Sequence, residues 1–127
     1  MKTLRTPLGQ VRGLGAAKEG VHHWRMQRLT ALALVPLLLW FVASLVATAT
    51  ADYTTAVTWV RSPVVTVLLL GLIAAVFYHA QLGMQVIIED YVHAEWLKVT
   101  SVVALYFLHV GLALASALAV LRIALGG

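Results

Sequence analysis

The residues best suited to chemistry are a histidine and an acid–tyrosine pair at the two ends of one helical segment. His79 follows the apolar run from Val64 to Tyr78, and Asp90 and Tyr91 stand where the sequence turns polar. At a helical rise of about 1.5 Å per residue, His79 lies roughly 16 Å along the helix from Asp90. A neutral imidazole in an apolar setting is a good haem ligand, and a phenol beside a carboxylate suits a quinone.

Gly83 lies on the same helical face as His79 and Asp90, and it leaves room for a flat group to approach the backbone. An ionisable residue inside a membrane span indicates a functional site. The alternative for His79 is a side chain that is hydrogen-bonded to a neighbouring helix. The alternative for Asp90 and Tyr91 is a helix end followed by an aromatic residue at the membrane surface.

Composition identifies an integral membrane protein. The 127 residues are 61% hydrophobic and 11% charged, whereas a soluble domain is about half apolar and about a quarter charged. The length allows about three or four spans. With no cysteine, the chain offers no disulfide, thiolate metal site or iron–sulfur ligand. It also lacks a nucleophile–base pair, a phosphate loop and a carboxylate cluster with metal spacing, so we expect no catalysis by this chain alone.

Basic residues are concentrated ahead of the first apolar run. This is the positive-inside pattern, which predicts a cytoplasmic N-terminus, or a matrix one in a mitochondrion, and it is not a nucleic-acid signal. Six of the nine lysines and arginines are Lys2, Arg5, Arg12, Lys18, Arg25 and Arg28.

We predict an all-α membrane protein with three transmembrane helices over about 29–48, 63–88 and 95–123, preceded by a basic cytoplasmic arm over 1–24. A short interfacial helix is predicted within 49–62. Three spans from a cytoplasmic N-terminus return the second loop to the cytoplasm. Asp90 and Tyr91 are therefore expected on the same side of the membrane as the basic arm.

Three further basic side chains, Arg25, Arg28 and His109, each allow two interpretations. Arg25 and Arg28 either anchor the first span to lipid phosphates, or one of them turns inward to pair with a propionate or a quinone oxygen. His22 and His23 are interpreted as interfacial residues. His109, in the third span, is interpreted as a hydrogen-bonded interhelical histidine, with a cofactor contact as the alternative.

Two spaced motifs connect the sequence to a known family. One is Gly20-Val21-His22 followed by Arg28 and Thr30-Ala31, and the other is His79-Ala80, Gly83-Met84 and Asp90-Tyr91-Val92. Together they resemble the hydrophobic membrane anchors of succinate dehydrogenase in respiratory complex II, in particular the alphaproteobacterial members. The resemblance covers about residues 13 to 125. Residue 23 departs from it, because His23 precedes Trp24 where the family has an acid before an aromatic residue.

The resemblance implies half of a six-helix anchor that is built by two subunits in the bacterial inner membrane. The implied partners are a second haem-ligating anchor of the cytochrome b556 type, an iron–sulfur subunit and a flavoprotein subunit. Haem b would be clamped between one histidine from each anchor, with His79 as this chain's ligand to the iron. The anchor would help pass electrons from the iron–sulfur subunit to ubiquinone.

The same resemblance implies roles for four further residues. Tyr91 matches a tyrosine that hydrogen-bonds ubiquinone, and Asp90 matches an acid that delivers protons. Arg28 and His22 match residues near the haem propionates, with His23 as the alternative to His22. Two other functions stay open: a fumarate reductase anchor working in the opposite direction, and a purely structural anchor without haem. A small transporter is disfavoured because the sequence has no internal repeat.

Overall fold

The protein is described by a computed structural model over residues 6–11, 13 and 18–127, with only the backbone at 18 and 19. The helices are α1 (Pro7–Val11), α2 (Lys18–Ala47), α3 (Tyr53–Arg61), α4 (Pro63–Tyr91) and α5 (Glu95–Ala124). Three segments, Gly20–Ala47, Pro63–Tyr91 and Glu95–Ala124, are long and apolar enough to cross a membrane. The predicted all-α fold with three candidate spans is confirmed.

The helices reach beyond the predicted spans. Helix α2 begins at Lys18, so the last part of the predicted basic arm is helical. Helices α4 and α5 begin at Pro63 and Glu95, where the second and third predicted spans begin. Which of these residues lie inside the bilayer stays a prediction. Much of the predicted arm, including Lys2, Arg5 and Arg12, lies outside the described residues.

Helix α4 is the middle of a row of three long helices. It packs against α2 on one side and α5 on the other, whereas no Cα atoms of α2 and α5 approach within 8 Å of each other in the described part of the chain. Only residues 92–94 connect α4 to α5, so the two helices are antiparallel neighbours. The side chains of α4 are therefore held by both flanking helices.

Few side chains are buried between the three long helices in the described part of the chain. Large apolar side chains such as Leu32 (71% exposed) and Phe107 (70%) cover their outer faces. Soluble monomers rarely expose such continuous apolar surface, which instead suits lipid tails and further helices. Among the described residues, the buried side chains are Thr30, Leu34, Leu69, Leu72, Gln81, Leu82 and Leu105.

The short helix predicted within 49–62 is confirmed as α3. Asp52 is its N-cap and accepts a hydrogen bond of 2.9 Å from the Thr55 amide. This bond satisfies one of the amides that the first turn of a helix leaves unpaired. Hydrogen bonding from the side chain and the backbone of Thr55 holds the pKa of the Asp52 carboxyl below its usual range.

Helix α3 contacts both outer helices of the row, α2 and α5. The Trp59 ring stacks on Trp40 of α2, with the ring centroids 5.9 Å apart. Arg61 Nε donates a hydrogen bond of 3.1 Å to the carbonyl of Ile123, in the last turn of α5. These contacts place α3 at the end of the long helices opposite to Asp90. No described helix covers the end near Asp90, which is called the open end.

Candidate functional site

His79 lies in the interface between α2 and α4. Its Nδ1 atom is 2.9 Å from Oγ1 of Thr30 on α2. The ring is half-buried, and Thr30 is only 7% exposed. The hydrogen bond to a neighbouring helix that was the alternative interpretation of His79 is therefore present. It occupies one ring nitrogen, however, and Nε2 has no hydrogen-bond partner within the described part of the chain.

A cavity of about 560 Å³ opens one helical turn from His79, between the start of α2 and the end of α4. Ligand pockets in proteins commonly have volumes of about 300–1,000 Å³. Gly83 lies on its wall, and a Cβ atom added there would meet Gln27 Nε2 at 3.8 Å, an ordinary contact. The cavity is lined by Gly20, His23, Trp24, Gln27, Gly83, Gln85, Val86 and Glu89.

Two polar atoms on this wall are buried without a hydrogen-bond partner in the described part of the chain. They are Nε2 of His23 and Oε1 of Gln27. An unpaired buried polar group costs about 1–3 kcal/mol, so such atoms mark a place where a polar group from outside can bind. His23, Gln27 and Thr30 follow helical spacing on one face of α2. That spacing could have revealed Gln27, which the sequence prediction missed.

Arg28 and His22 do not line this cavity. Arg28 is about 160° around α2 from Thr30, and its guanidinium carbon lies 5.5 Å from the ring centroid of Trp24. His22 is exposed and lines a separate cavity that faces α5, whereas His23 borders both cavities. Within this chain, His23 and not His22 lines the cavity beside Gly83. The roles predicted for Arg28 and His22 stay predictions.

Asp90 and Tyr91 lie together at the open end of the row. Tyr91 is the last residue of α4 and is 77% exposed. Asp90 is also exposed, and neither side chain makes a hydrogen bond or an ion pair within the described residues. From His79 to Tyr91 the helix rises by roughly 18 Å. Both side chains are therefore free to meet a molecule that arrives at this end.

A chain of hydrogen bonds runs along another face of α4. Gln81 Nε2 donates to Gln85 Oε1 at 3.0 Å, and Gln85 Nε2 donates to Glu89 Oε1 at 2.7 Å. Gln81 is buried, so its amide needs such a partner in an apolar setting. The spacing of four residues could have revealed this chain, which the sequence prediction missed.

The hydrogen bond predicted between His109 and another helix is wrong. His109 Nδ1 lies 2.9 Å from the carbonyl oxygen of Leu105 in its own helix. A carbonyl oxygen can only accept, so Nδ1 donates this hydrogen bond. Its contact with α4 is the Phe77 ring, met edge-on with the ring centroids 6.3 Å apart. A carbonyl one turn back satisfies the ring without help from a neighbouring helix, which the sequence prediction did not consider.

The described residues contain no group of three or more histidines, cysteines or acids that could hold a bare metal ion. Haem makes a smaller demand on the protein, because the porphyrin supplies the equatorial ligands and the protein supplies only axial ones. The arrangement of His79 fits that demand. One ring nitrogen is anchored, the other has no partner among the described residues, and Gly83 leaves space on the same face of the helix.

Comparison with known proteins gives one consistent answer. A family model described as "Succinate dehydrogenase/Fumarate reductase transmembrane subunit" matches residues 2–120. Similar relatives named "Succinate dehydrogenase hydrophobic membrane anchor subunit" come from Rickettsia bellii (36% identity, covering 79% of this chain and 80% of the relative) and Rickettsia conorii (34%, covering 70% and 71%). No solved structure matches. The chain belongs to the succinate dehydrogenase/fumarate reductase transmembrane subunit family.

Proposed function

We propose that this chain is the hydrophobic membrane anchor subunit of a succinate:ubiquinone oxidoreductase. Membership of the family and the names of the relatives support this function. Both relatives described above are named for succinate dehydrogenase, which favours succinate oxidation over the fumarate reductase direction. The chain acts as a multi-pass protein of the bacterial inner membrane, with its N-terminus in the cytoplasm.

The proposed complex contains three other subunits: a second haem-ligating anchor of the cytochrome b556 type, an iron–sulfur subunit and a flavoprotein subunit. The exposed apolar faces of α2, α4 and α5 support a partner inside the membrane, because this chain alone buries few side chains. The open end near Asp90 supports docking of soluble subunits there, on the side of the basic N-terminal arm.

His79 is the proposed axial ligand to the iron of haem b. The observation that carries this role is the pairing of Nδ1 with buried Thr30, which leaves Nε2 as the nitrogen for the iron. His23 and Gln27 offer unpaired polar atoms in the adjoining cavity for the polar edge of the cofactor. Bound haem b supplies a one-electron carrier within the membrane.

Arg28 and His22 are proposed to face the haem propionates across the subunit boundary. Both side chains are exposed on this chain, so a neighbouring subunit can cover them. A guanidinium group binds a carboxylate with two parallel hydrogen bonds, which suits a propionate. The cavity that His23 lines makes it a third candidate for this role.

Tyr91 and Asp90 are the proposed quinone contacts. The Tyr91 phenol donates a hydrogen bond to a quinone carbonyl oxygen, and the Asp90 carboxylate passes protons inward from the aqueous side. Reduction of one quinone takes two electrons, which come from the iron–sulfur subunit, and two protons. The exposure of both side chains at the end of α4 supports this role.

The test starts with the complex purified through a tag on this chain. We expect it to oxidise succinate with ubiquinone as the acceptor, and a complex without this activity would overturn the proposed function. A reduced-minus-oxidised spectrum should show a low-spin haem b that is lost or altered in His79→Ala. His109→Ala is the matched control, since His109 is bonded within its own helix. An unchanged spectrum in His79→Ala would remove His79 as the ligand.

A further inference from the structure

Thr30 is the contact that joins α2 to the candidate haem ligand. It is one of two buried polar side chains among the described residues, and its hydroxyl meets His79 across a separation of 49 residues. A hydroxyl and an imidazole can each donate or accept. The direction of this hydrogen bond therefore depends on what else the hydroxyl contacts.

The hydroxyl proton of Thr30 is already engaged within α2. Oγ1 donates to the carbonyl of Met26 at 2.7 Å, and the carbonyl of Gln27 is 3.1 Å away. Carbonyl oxygens only accept, and a hydroxyl has one proton to give. Towards His79, Oγ1 thus offers a lone pair, and Nδ1 supplies the proton of the bond. The ring is held as the Nδ1–H tautomer, with the lone pair on Nε2.

We propose that Thr30 is a positioning residue that sets the tautomer and the rotation of the His79 ring for binding haem iron. This inference rests on the proposed function and deepens it. Metal-binding histidines commonly donate their second N–H to an acceptor that fixes the ring and raises its basicity. Here the acceptor comes from a different helix than the ligand, so the packing of α2 on α4 orients the ring.

His109 illustrates why the source of the acceptor matters. Its Nδ1 also donates, but to the Leu105 carbonyl of its own helix. That bond keeps the ring along α5 whatever the neighbouring helices do. The bond between His79 and Thr30, in contrast, exists only while α2 and α4 are packed in this register. The orientation of the His79 ring therefore depends on the correct packing of the two helices.

The test compares Thr30→Val with Thr30→Ser in the assembled complex. Valine has nearly the same shape but cannot accept a hydrogen bond, whereas serine keeps the oxygen. We expect Thr30→Val to weaken haem retention by about tenfold or more, the usual effect of removing such a partner. Its haem potential should rise, because a less basic imidazole stabilises ferric iron less, and each tenfold change in relative affinity equals about 59 mV. Thr30→Ser should resemble wild type.

Thr48→Val is the matched control, since the Thr48 hydroxyl makes the same type of bond, to Ser44 O at 2.8 Å, far from His79. If Thr30→Val impairs assembly, Thr30→Ala removes the same oxygen with a smaller side chain. If Thr30→Val or Thr30→Ala keeps wild-type haem content and potential while His79→Ala loses haem, the role of Thr30 is overturned and that of His79 is not. An unchanged spectrum in His79→Ala would overturn the haem ligand itself.

Discussion

The guanidinium group of Arg28 lies over the indole ring of Trp24, one turn away on α2, at 5.5 Å from the ring centroid. Trp24 is 59% exposed, and the pair lies on the outside of this chain. The cation is thus held in a defined place without an acidic partner among the described residues. A guanidinium group held in this way is available to bind an anion from outside this chain, either a propionate or a lipid phosphate.

Replacing Arg28 distinguishes these two anions. We expect Arg28→Leu to lower ubiquinone reductase activity or haem content about tenfold or more, since a hydrogen bond to a charged group contributes about 1.5–3 kcal/mol. Arg28→Lys should retain only part of the wild-type activity or haem content, because a lysine cannot bind a carboxylate with two parallel hydrogen bonds. Arg25→Leu is the charge-matched control. Full activity in Arg28→Lys would indicate lipid anchoring as the role of Arg28.

Tyr91→Phe removes a single hydroxyl at the exposed end of α4. Because Tyr91 is 77% exposed, assembly should be intact. Loss of a hydrogen bond worth about 1 kcal/mol should slow ubiquinone reduction roughly fivefold. Succinate oxidation with a soluble artificial acceptor should be unaffected. Tyr53→Phe, another exposed tyrosine at the opposite end of the protein, is the control, and unchanged ubiquinone turnover in Tyr91→Phe would exclude Tyr91 from the site.

Gly83→Ala tests whether the cofactor uses the space beside His79. Within this chain the added methyl group meets only Gln27 Nε2, at 3.8 Å, so the fold accepts it. A flat cofactor packed on the backbone at Gly83 would collide with that methyl group. We therefore expect a lower haem content in an assembled complex. Gly71→Ala, on the same helix and with no atom within 4 Å of the new Cβ, is the control. Full haem content in Gly83→Ala would place the cofactor elsewhere.

The cap of α3 should respond to acid. The pKa of Asp52 is lowered in the folded protein from its ordinary value of 3.8, so its carboxylate stabilises the fold above that value. This contribution declines as the pH falls through the lowered pKa. We expect a lower protection factor against hydrogen exchange, relative to the intrinsic rate at the same pH, at the Thr55 amide in acid and, at neutral pH, in Asp52→Ala. Asp52→Asn keeps an acceptor and should retain protection. Equal exchange in Asp52→Ala and wild type would contradict the role of the cap.

Helices α2 to α5 could be predicted from the sequence because each depends on local information, whereas α1 (Pro7–Val11) was not predicted. Pro63 and Glu95 begin α4 and α5, and the apolar runs that follow are span-length. The short helix α3 was predictable from its mixed apolar and polar spacing. The early start of α2 was missed, since the segment from Lys18 to Arg28 is too polar to extend the apolar run that marks the first span, although it forms a helix.

The site was only partly predictable. His79, Asp90 and Tyr91 could be proposed as site residues from their type and position, but the pairing of His79 with Thr30 depends on how α2 and α4 pack against each other. Sequence reasoning gave weight to the charge of Arg28 and not to the amide of Gln27. Charge is visible in a sequence, whereas the face that packs inward is set by tertiary contacts. The roles proposed for Arg28 and His22 involve a second subunit, which this sequence does not contain.

The connection of only residues 92–94 between α4 and α5 has a consequence for biosynthesis. So short a link keeps the facing ends of α4 and α5 close together throughout insertion. We therefore expect the two segments to enter the bilayer as one hairpin. With the proposed cytoplasmic orientation, the tip of this hairpin never crosses the membrane. Asp90 and Tyr91 are thus delivered to the side where they are used, without any charged residue of the tip passing through the lipid.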